Sequence, residues 1–421
     1  MPQFILTGIG SYGDVHPIVG LGAALAGRGH RVKLITNPYF ADVVTNAGLE
    51  FVPVSSREEY IQLSQHPDLW HPIRGAALVL RQAAGGLARP LYDLAVDLFE
   101  PGETVFCAHP LDMGTRVAAE KLGAPVASID LSPSILWSIH DSPRLKGALM
   151  GPCVPKWIKR FQFWVSDTLI VQNVLGGPLN ELRREVGLPP VKLILSTWVH
   201  STNLVVGLFP DWFAPPQPDW PTNVRLAGFP LWDADHNATL ALEVYEFLAA
   251  GDPPIAFSPG SANRAAHEFF EVAVEVCQML GRRGILLTKY ADQLPARLPA
   301  SVGHFGFVPL SNLLPHTAAL VHHGGIGSCA QALAAGLPQL VRPMSFDQFD
   351  NSRRLEKLGV AEELSVKRFR PPAVSAALSR LWQSTNVAAK CRDLADKCDG
   401  PEALDVACDA LETLVATRVA R

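Results

Sequence analysis

The sequence has no uninterrupted apolar run of the ~18–20 residues that a membrane-spanning helix requires. Its first residues, Met1–Gly10, enter a strand-like pattern directly, without the basic segment that opens a secretory leader. We therefore expect a cytoplasmic protein, with at most peripheral contact at the inner face of the membrane.

Cysteine is scarce and irregularly placed. The seven cysteines stand at positions 107, 153, 277, 329, 391, 398 and 408. No Cys-x-x-Cys pair and no Cys/His cluster has the spacing of a zinc site. The pattern predicts reduced thiols and no metal centre.

An excess of positive charge is missing as well. The net charge is −4 and the sequence pI is about 6.4. Binding to nucleic acid or to an anionic membrane that is driven by charge needs a basic surface. We therefore expect neither as a charge-driven partner.

The length of 421 residues fits two domains of about 200 residues each, and the apolar content of 48% is enough for a core in both. Strand and helix patterns alternate in both halves, which predicts parallel sheets of the doubly wound α/β class. The predicted strands are 4–9, 31–36, 51–54, 104–108, 126–129, 204–209, 254–258, 284–288, 302–306, 318–321 and 339–342. The principal predicted helices are 17–28, 114–122, 267–279 and 329–335. The proline-rich stretch 210–233 indicates a connection, and we place the domain boundary near 228–238.

Residues 131–200 depart from this alternation and are rich in tryptophan and phenylalanine. Within them, the segment 153–167 is apolar, with basic residues at intervals. One interpretation is a set of core helices packed on the sheet. The other is an aromatic wall for a hydrophobic ligand, or a helix in shallow contact with a membrane.

A glycine turn between a strand and a helix is the most informative local feature. The apolar run Ala318–Val321 is followed by His323 and glycines, and Ser328 opens the predicted helix Cys329–Ala335. A helix start leaves backbone N–H groups without acceptors at the positive end of the dipole, so it favours an anion such as phosphate. A turn that serves packing alone is the other interpretation. Polar residues at the carboxyl ends of neighbouring strands, where α/β sheets bind ligands, favour the anion site.

The stretch 322–351, HHGGIGSCAQALAAGLPQLVRPMSFDQFDN, resembles the donor-binding signature of nucleotide-sugar glycosyltransferases of the UDP-glycosyltransferase-like family (GT1). The segment 197–233 is similar to the rhamnosyltransferases of bacterial rhamnolipid synthesis. The resemblance extends over nearly the whole chain and implies the GT-B fold, two Rossmann-like doubly wound domains facing across a cleft. It implies an acceptor-binding domain at 1–230, a donor-binding domain at 231–395, and a final helix at 396–421 bracing the first domain.

The first glycine loop has three interpretations. Residues 8–13 match G-x-G-x-x-G, but the second strand ends in Thr36 and Asn37 instead of the carboxylate that dinucleotide binding expects. Glycines that only allow close packing are the second interpretation. The resemblance implies the third, a catalytic loop on the acceptor side.

A sugar transferase needs a base that removes the proton of the acceptor hydroxyl. In the family the base follows the glycine of the first loop, which implies Asp14 here, with His16 as the competitor. Asp14 as a helix N-cap is the structural alternative. His109 occupies the position of the residue that orients the base in plant members. We hypothesise an Asp14–His109 dyad, with a merely hydrogen-bonded strand end as the alternative for His109.

The resemblance also implies a donor site. Its residues are Gly260, Ser261, Phe307, Val308, His323, Gly324, Gly325, Gly327, Ser328, Gln331, Asp347, Gln348 and Asn351. The imidazole of His323, the turn and the Ser328 hydroxyl would meet the diphosphate. Phe307 would stack on the nucleobase, with backbone groups at Val308 reading its edge. The remaining polar residues, Asp347 and Gln348 with Asn351, would bind sugar hydroxyls.

Gln331 departs from the family pattern. The family usually has a glutamate there that binds both ribose hydroxyls, and a neutral amide cannot make the same charge-assisted pair of bonds. The departure favours a deoxyribose donor such as dTDP-rhamnose over a UDP-sugar.

The resemblance as a whole implies an inverting glycosyltransferase that uses a nucleoside-diphosphate sugar and an apolar hydroxylated acceptor, without metal or other cofactor. A nucleotide-sugar epimerase of the same architecture and a non-catalytic nucleotide-sugar-binding subunit remain the alternatives.

Overall fold

A computed structural model describes residues 2–233 and 240–419. Contacts divide the chain into two compact units, Met1–Pro230 with Gly400–Arg421, and Leu231–Asp399. Each unit is built on one parallel sheet flanked by helices, which confirms the predicted α/β fold class. The boundary expected near 228–238 lies partly outside the described residues, since 234–239 are not among them. Nowhere in 2–233 or 240–419 does a helix have the length and apolar character needed to cross a membrane.

The first unit has a seven-stranded sheet in the order β3-β2-β1-β4-β5-β6-β7, with every pair parallel. The strands are β1 Gln3–Gly8, β2 Arg31–Thr36, β3 Glu50–Pro53, β4 Thr104–Ala108, β5 Val126–Asp130, β6 Leu204–Gly207 and β7 Val224–Leu226. The helices are α1 Tyr12–Gly27, α2 Ala41–Asn46, α3 Arg57–Ser64, α4 Arg74–Val79, α5 Ala88–Asp97, α6 Met113–Leu122, α7 Lys156–Val165 and α8 Gly177–Glu185. Strands β1, β4 and β5 are buried along their whole length, because helices cover both faces of a parallel sheet.

The second unit has a six-stranded parallel sheet in the order β10-β9-β8-β11-β12-β13. Its strands are β8 Ile255–Ser258, β9 Gly284–Leu287, β10 Val302–Phe305, β11 Ala319–His322, β12 Gln339–Val341 and β13 Ala361–Glu363. Its helices are α9 Leu242–Ala249, α10 His267–Leu280, α11 Leu310–Leu313, α12 Ile326–Ala334, α13 Gln348–Leu358, α14 Pro371–Gln383 and α15 Thr385–Ala395. Phenylalanines 257, 269, 270 and 369 are fully buried in its main core.

Helix α1 corrects the predicted start at Pro17. It begins at Tyr12 with Ser11 as N-cap, and Pro17 lies inside the helix. Proline has no N–H group, so the usual bond to the carbonyl of Gly13 is missing there. The reciprocal bonds between Ser11 and Asp14, a capping box, set the earlier start.

The last helix, α16 Gly400–Val419, belongs to the first unit. Ala403, Ala407 and Leu411 are buried, and their spacing of four residues places them on one helix face. Beside this apolar stripe, the Arg28 guanidinium at the end of α1 lies 2.8 Å from Asp405 and 2.6 Å from Asp409. Burial and this ion-pair network together hold α16 against α1.

Candidate functional site

The first group of candidate residues lies in the β1–α1 loop, around Asp14. The backbone N–H of Ser11 donates to Asp14 Oδ2 over 2.7 Å, and the Ser11 hydroxyl donates to the same oxygen over 3.0 Å. Asp14 is therefore the third residue of α1 and half of a capping box, and the predicted N-cap alternative is wrong in its position. Gly10 has φ of +133°, and a Cβ atom there would lie 2.3 Å from Asp14 Oδ2. Only glycine allows the loop this close to the carboxylate.

His109 lies directly after β4, the neighbour of β1 in the sheet. Its backbone N–H donates to Thr7 Oγ1 over 2.9 Å, which ties the ends of the two strands together. Its ring Nδ1 accepts the backbone N–H of Leu111 over 3.2 Å. Its Nε2 lies 4.0 Å from Asp14 Oδ1. The sheet therefore brings together the two side chains that the sequence hypothesis paired.

Burial shifts both groups toward their neutral forms. Desolvation lowers the pKa of His109 to about 3, so its imidazole is neutral at physiological pH. Desolvation also raises the pKa of Asp14, while the hydrogen bonds from Ser11 oppose the rise. The Asp14 side chain keeps 39% of its surface exposed, against 5% for His109. Of the two, the carboxylate is the group that an external molecule can reach.

His16, the predicted competitor, lies two residues further along α1 with 8% of its surface exposed. Residues two apart on a helix do not face each other, so His16 is not on the face that carries Asp14. Its ring packs edge-on against Tyr12, with 5.1 Å between the ring centroids. Tyr12 in turn contacts Tyr39 and Phe40, so one neighbour of His16 belongs to a cluster of aromatic rings.

In the second unit, His323 follows β11 and its ring sits between two glycines. A Cβ atom added to Gly260 would lie 3.0 Å from His323 Nε2, and one added to Gly325 would lie 2.6 Å from the same atom. Burial lowers the pKa of His323 to about 4, an effect that the backbone carbonyl of Ser258 partly offsets. The imidazole is therefore neutral at physiological pH, and both glycines are required by its position.

The adjacent His322 has a structural environment. Its Nδ1 accepts the backbone N–H of Gly324 over 3.2 Å, and its Nε2 lies 3.0 Å from Gln339 Oε1. Gly324 has φ of +92°, and a Cβ atom there would lie 2.8 Å from a methyl group of Val341. The buried His322 thus fixes the turn that presents His323.

Helix α12 begins at Ile326, so the predicted start at Cys329 is wrong by three residues. Gly325 is the N-cap and supplies no side chain, and the first intrahelical bond runs from Cys329 N–H to the Gly325 carbonyl over 3.0 Å. Ser328 is therefore the third residue of the helix instead of its first. The N–H groups of Ile326, Gly327 and Ser328 have no acceptor within the helix, which makes this terminus suited to anionic oxygens.

A Cβ atom added to Gly327 would meet no atom within 4 Å. The backbone around Gly327 thus has open space in front of it.

The segment after β12 packs against this turn. Asn351 is fully buried, and its amide donates to the Gly324 carbonyl over 3.0 Å and to Asp347 Oδ2 over 2.7 Å. Gln348 Oε1 accepts the backbone N–H groups of Met344 and Ser345. Asn351 and the Gln348 carbonyl therefore hold the loop in place, and Asp347 is the more accessible of the three predicted sugar-binding side chains.

Phe346, directly before Asp347, has φ of 56°. For a side chain of this size the left-handed conformation costs on the order of 1–2 kcal/mol. The fixed loop and the strained backbone give Asp347 one defined position.

The predicted nucleobase residues differ in exposure. Half of the Phe307 surface is exposed, and Lys289 Nζ lies 5.2 Å from its ring centroid. Val308 is buried, and Ser261 beside Gly260 is exposed. Phe307 thus presents a flat apolar face with a cation on it, a partner that the sequence did not indicate.

Gln331, predicted near the ribose, is buried with 6% exposed. Its Nε2 donates to the backbone carbonyl of Leu231 over 3.0 Å. Leu231 itself has φ of 51° at the first position of the second unit. This contact joins residues 100 positions apart and uses one of the two N–H donors of the Gln331 amide.

Within residues 2–233 and 240–419, no group of three or more His, Cys, Asp and Glu side chains is arranged to hold a metal ion. The seven cysteines are unpaired, and six of them are at least partly buried.

Two protein-family models match separate parts of the chain. Residues 4–140 match the glycosyltransferase family 28 N-terminal domain. Residues 283–412 match the erythromycin biosynthesis protein CIII-like C-terminal domain. The first match contains Asp14 and His109, and the second contains the His323 turn and α12.

Curated relatives extend over nearly the whole chain. Glycosyltransferase GtfC of Amycolatopsis orientalis is 29% identical and covers 90% of this chain and 89% of its own length. O-mycaminosyltylonolide 6-deoxyallosyltransferase of Streptomyces fradiae is 28% identical, with 99% of this chain and 98% of its own length covered.

Solved structures share the fold. The glycotransferase of kitacinnamycin has a TM-score of 0.75 at 23% identity and covers 99% of this chain and 100% of its own. The spinosyn rhamnosyltransferase SpnG, complexed with thymidine diphosphate, has a TM-score of 0.65 at 18% identity, with 94% and 96% covered. The architecture of this chain is thus that of the two-domain GT-B fold.

Proposed function

The chain is a glycosyltransferase, and we propose that it moves a sugar from a nucleoside-diphosphate donor to a hydroxyl of an apolar acceptor with inversion at the anomeric carbon. Asp14 accepts the acceptor proton as the hydroxyl oxygen bonds to the anomeric carbon. The bond from that carbon to the diphosphate oxygen breaks, and the nucleoside diphosphate leaves. The observation that carries this proposal is the pairing of Asp14 with His109.

The tautomer of His109 indicates which of the two residues, Asp14 or His109, acts as the base. Because Nδ1 accepts the Leu111 N–H, the proton of the neutral ring is on Nε2, and Nε2 faces Asp14 Oδ1. A protonated Nε2 cannot remove a proton from the acceptor. His109 therefore acts as a positioning donor toward one carboxylate oxygen, and Asp14 is the base. The distance of 4.0 Å is longer than a hydrogen bond, as is common before substrate arrives.

The turn of the second unit supports donor binding. The negative charge of the leaving diphosphate grows during transfer, and the N–H groups that open α12 stabilise it without rearranging. His323 adds an imidazole whose pKa rises when an anion approaches, so it can become a charged donor to the diphosphate. These groups supply the stabilisation that a metal ion supplies elsewhere, and we expect activity to survive EDTA.

We propose a dTDP-sugar as donor, with dTDP-rhamnose favoured. The Gln331 amide donates one N–H to Leu231, and the side chain is neutral, so it cannot make the charge-assisted pair of bonds to two ribose hydroxyls that a glutamate makes. A UDP donor carries one more ribose hydroxyl, which gains little from a single neutral acceptor. SpnG, a rhamnosyltransferase in complex with thymidine diphosphate, and VinC in complex with dTDP support this choice as structural neighbours.

The acceptor belongs to the class of apolar molecules with a free hydroxyl, a natural product or a lipid-like alcohol. The tylonolide and vancomycin aglycone transferases among the relatives act on compounds of the first kind, and sterol glucosyltransferases are also similar to this chain.

The deciding experiment incubates the full chain with labelled dTDP- and UDP-sugars, with and without a panel of apolar alcohols. Nucleotide release that requires an acceptor, together with a glycoside of inverted configuration, supports the proposal. Release without acceptor would indicate an epimerase or hydrolase, and binding without release a non-catalytic subunit. If His109 only positions Asp14, His109→Ala should lower kcat roughly tenfold with little change in KM. Arg225→Ala, at an exposed position on β7, is the control and should leave both constants unchanged.

A further inference from the structure

A second functional surface lies on the first unit, at α7. Thirteen large apolar side chains of the described residues are exposed, and six of them fall between 149 and 170. These six, here named the α7 surface, are Leu149 70%, Trp157 71%, Phe161 57%, Trp164 50%, Leu169 55% and Ile170 48% exposed. A monomeric protein rarely leaves such a group in water without use for it.

The α7 surface is continuous. Trp157, Phe161 and Trp164 are spaced four and three residues apart on α7, so they share one helix face, and the rings of the last two stack at 6.0 Å. Leu149 is joined to this helix because its backbone N–H and carbonyl both bond to the Gln162 side chain. Leu169 and Ile170 lie in the π-helical segment Ser166–Gly176, which directly continues α7.

The opposite face of α7 is packed within the first unit. Phe163 is buried and stacks on Trp137, with 4.8 Å between ring centroids. The Lys159 side chain is also buried. Where α7 ends, the buried Asp167 accepts the N–H groups of Leu195 and Ser196. The exposed aromatic rings therefore stand on an anchored helix.

The charged residues of α7 itself are all positive. The helix contains Lys156, Lys159 and Arg160 and no acidic residue, and Lys159 is buried. Lys156 and Arg160 are exposed beside Trp157 and Phe161. The chain as a whole has a net charge of −4, so this local excess is a departure from its composition.

We propose that the α7 surface docks the protein on an anionic lipid bilayer. Aromatic rings on a helix that lies in the membrane plane enter the boundary between headgroups and acyl chains, while neighbouring cations contact anionic headgroups. A second copy of the chain is a poorer occupant, because two surfaces with the same positive charge repel each other. A neutral apolar acceptor gives no role to the cations. The docking is independent of the proposed sugar transfer.

The test measures co-sedimentation of the full chain with vesicles of phosphatidylcholine alone and with phosphatidylglycerol added. We expect binding to the anionic vesicles, weakened by salt, with a blue shift of tryptophan fluorescence. The triple variant Trp157→Ser/Phe161→Ser/Trp164→Ser should lose binding on the order of tenfold or more, and so should Lys156→Glu/Arg160→Glu. Leu242→Ser/Tyr245→Ser on α9, which removes two equally exposed apolar side chains, should bind as the wild type does.

Three results would overturn the proposal. They are absence of binding to either vesicle, equal binding by the triple variant, and a dimer in light scattering that the triple variant abolishes. The charge-reversed variant keeps the test valid should the triple variant fold poorly, because it leaves the aromatic packing untouched.

Discussion

The replacement of Asp14 by asparagine separates its catalytic role from its structural one. The asparagine carbonyl oxygen can still accept the Ser11 N–H and hydroxyl, so the capping box and α1 are retained. We expect the free energy of unfolding to change by less than about 1 kcal/mol. An amide cannot take a proton, so kcat should fall by about 10²–10⁴-fold, equivalent to roughly 2.7–5.4 kcal/mol of transition-state stabilisation.

Ser11→Ala is the matched control, and we expect it to lower stability while nearly keeping kcat, the opposite of Asp14→Asn. It removes the hydroxyl that donates to Asp14 and accepts the N–H of Gly13, which should cost about 0.5–2 kcal/mol of stability. It leaves the carboxylate, so the maximal kcat should be nearly kept. The hydrogen bond from Ser11 lowers the pKa of Asp14, so its loss raises that pKa. Because the base works as the carboxylate, the acidic limb of kcat against pH should move to higher pH.

The assays are steady-state transfer across a pH range and thermal unfolding of the same preparations. The reasoning is refuted if Asp14→Asn keeps a tenth or more of wild-type kcat. It is equally refuted if the acidic limb stays in place in Ser11→Ala while stability drops, because the limb would then belong to another group.

Three further predictions concern groups outside the capping box. The pKa of His323 is about 4 without a ligand, and a bound diphosphate raises it, so donor binding should take up a proton and weaken by up to about tenfold per pH unit above pH 4. Calorimetry in buffers of different ionisation enthalpy would detect this proton uptake. The same proton uptake in His323→Asn would contradict the prediction. Gly325→Ala should push the His323 ring aside and raise the donor KM, whereas Gly27→Ala, whose added Cβ meets no atom within 4 Å, should not. Equal donor KM values for the two variants would show that the contact between residue 325 and the His323 ring does not affect donor binding. Burial raises the pKa of Asp130 to about 8 and lowers that of His200 to about 4. Wild-type stability should fall by about 2 kcal/mol from pH 6.5 to pH 8, because over this range the folded Asp130 keeps a proton that the unfolded chain has released. Asp130→Asn should abolish this fall in denaturant titrations, and a fall that persists in the variant would assign the effect to another group.

The sign of the Asp130 effect follows from proton binding in the two states. Between pH 6.5 and pH 8 the folded carboxyl holds a proton that the unfolded chain has released, so rising pH favours unfolding. Below pH 6.5 His200 is protonated in the unfolded chain but stays neutral in the folded protein, so in this range stability rises with pH and opposes the effect of Asp130. Asp130 Oδ2 lies 3.8 Å from His200 Nδ1, so the two groups are close enough for their titrations to interact.

Sequence reasoning predicts best where burial and periodicity act together. Strand β4 was predicted at the bounds that the structure gives, because Thr104–Ala108 is apolar and buried on both sides. The fold class followed from the repetition of such strands and was confirmed. The hypothesis that pairs Asp14 with His109 came from the family resemblance, and the structure brings the two together because β1 and β4 are neighbours that end at the same edge of the sheet.

The starts of helices were predicted less well. Pro17 suggested a first-turn position, but the spacing of Ser11 and Asp14, which matches a capping box, was the stronger signal. At α12 the glycine pair 324–325 suggested a longer turn, although a glycine N-cap allows the helix to begin at Ile326.

Contacts between residues far apart in the chain could not be predicted, because no local sequence pattern indicates them. The bond from Gln331 to the Leu231 carbonyl depends on a left-handed leucine, which sequence propensity disfavours. The cation of Lys289 over Phe307 likewise joins residues from two separate loops. The roles of the donor residues therefore stay predictions, whereas their positions are now defined.

The return of α16 to the first unit has a consequence for synthesis. Leu231–Asp399 is one continuous stretch, so the second unit can complete its core while the chain is still being made. The first unit has to wait, with the face of α1 near Arg28 uncovered, until Ala403, Ala407 and Leu411 leave the ribosome. The half of the protein that is translated first is therefore the half that finishes folding last.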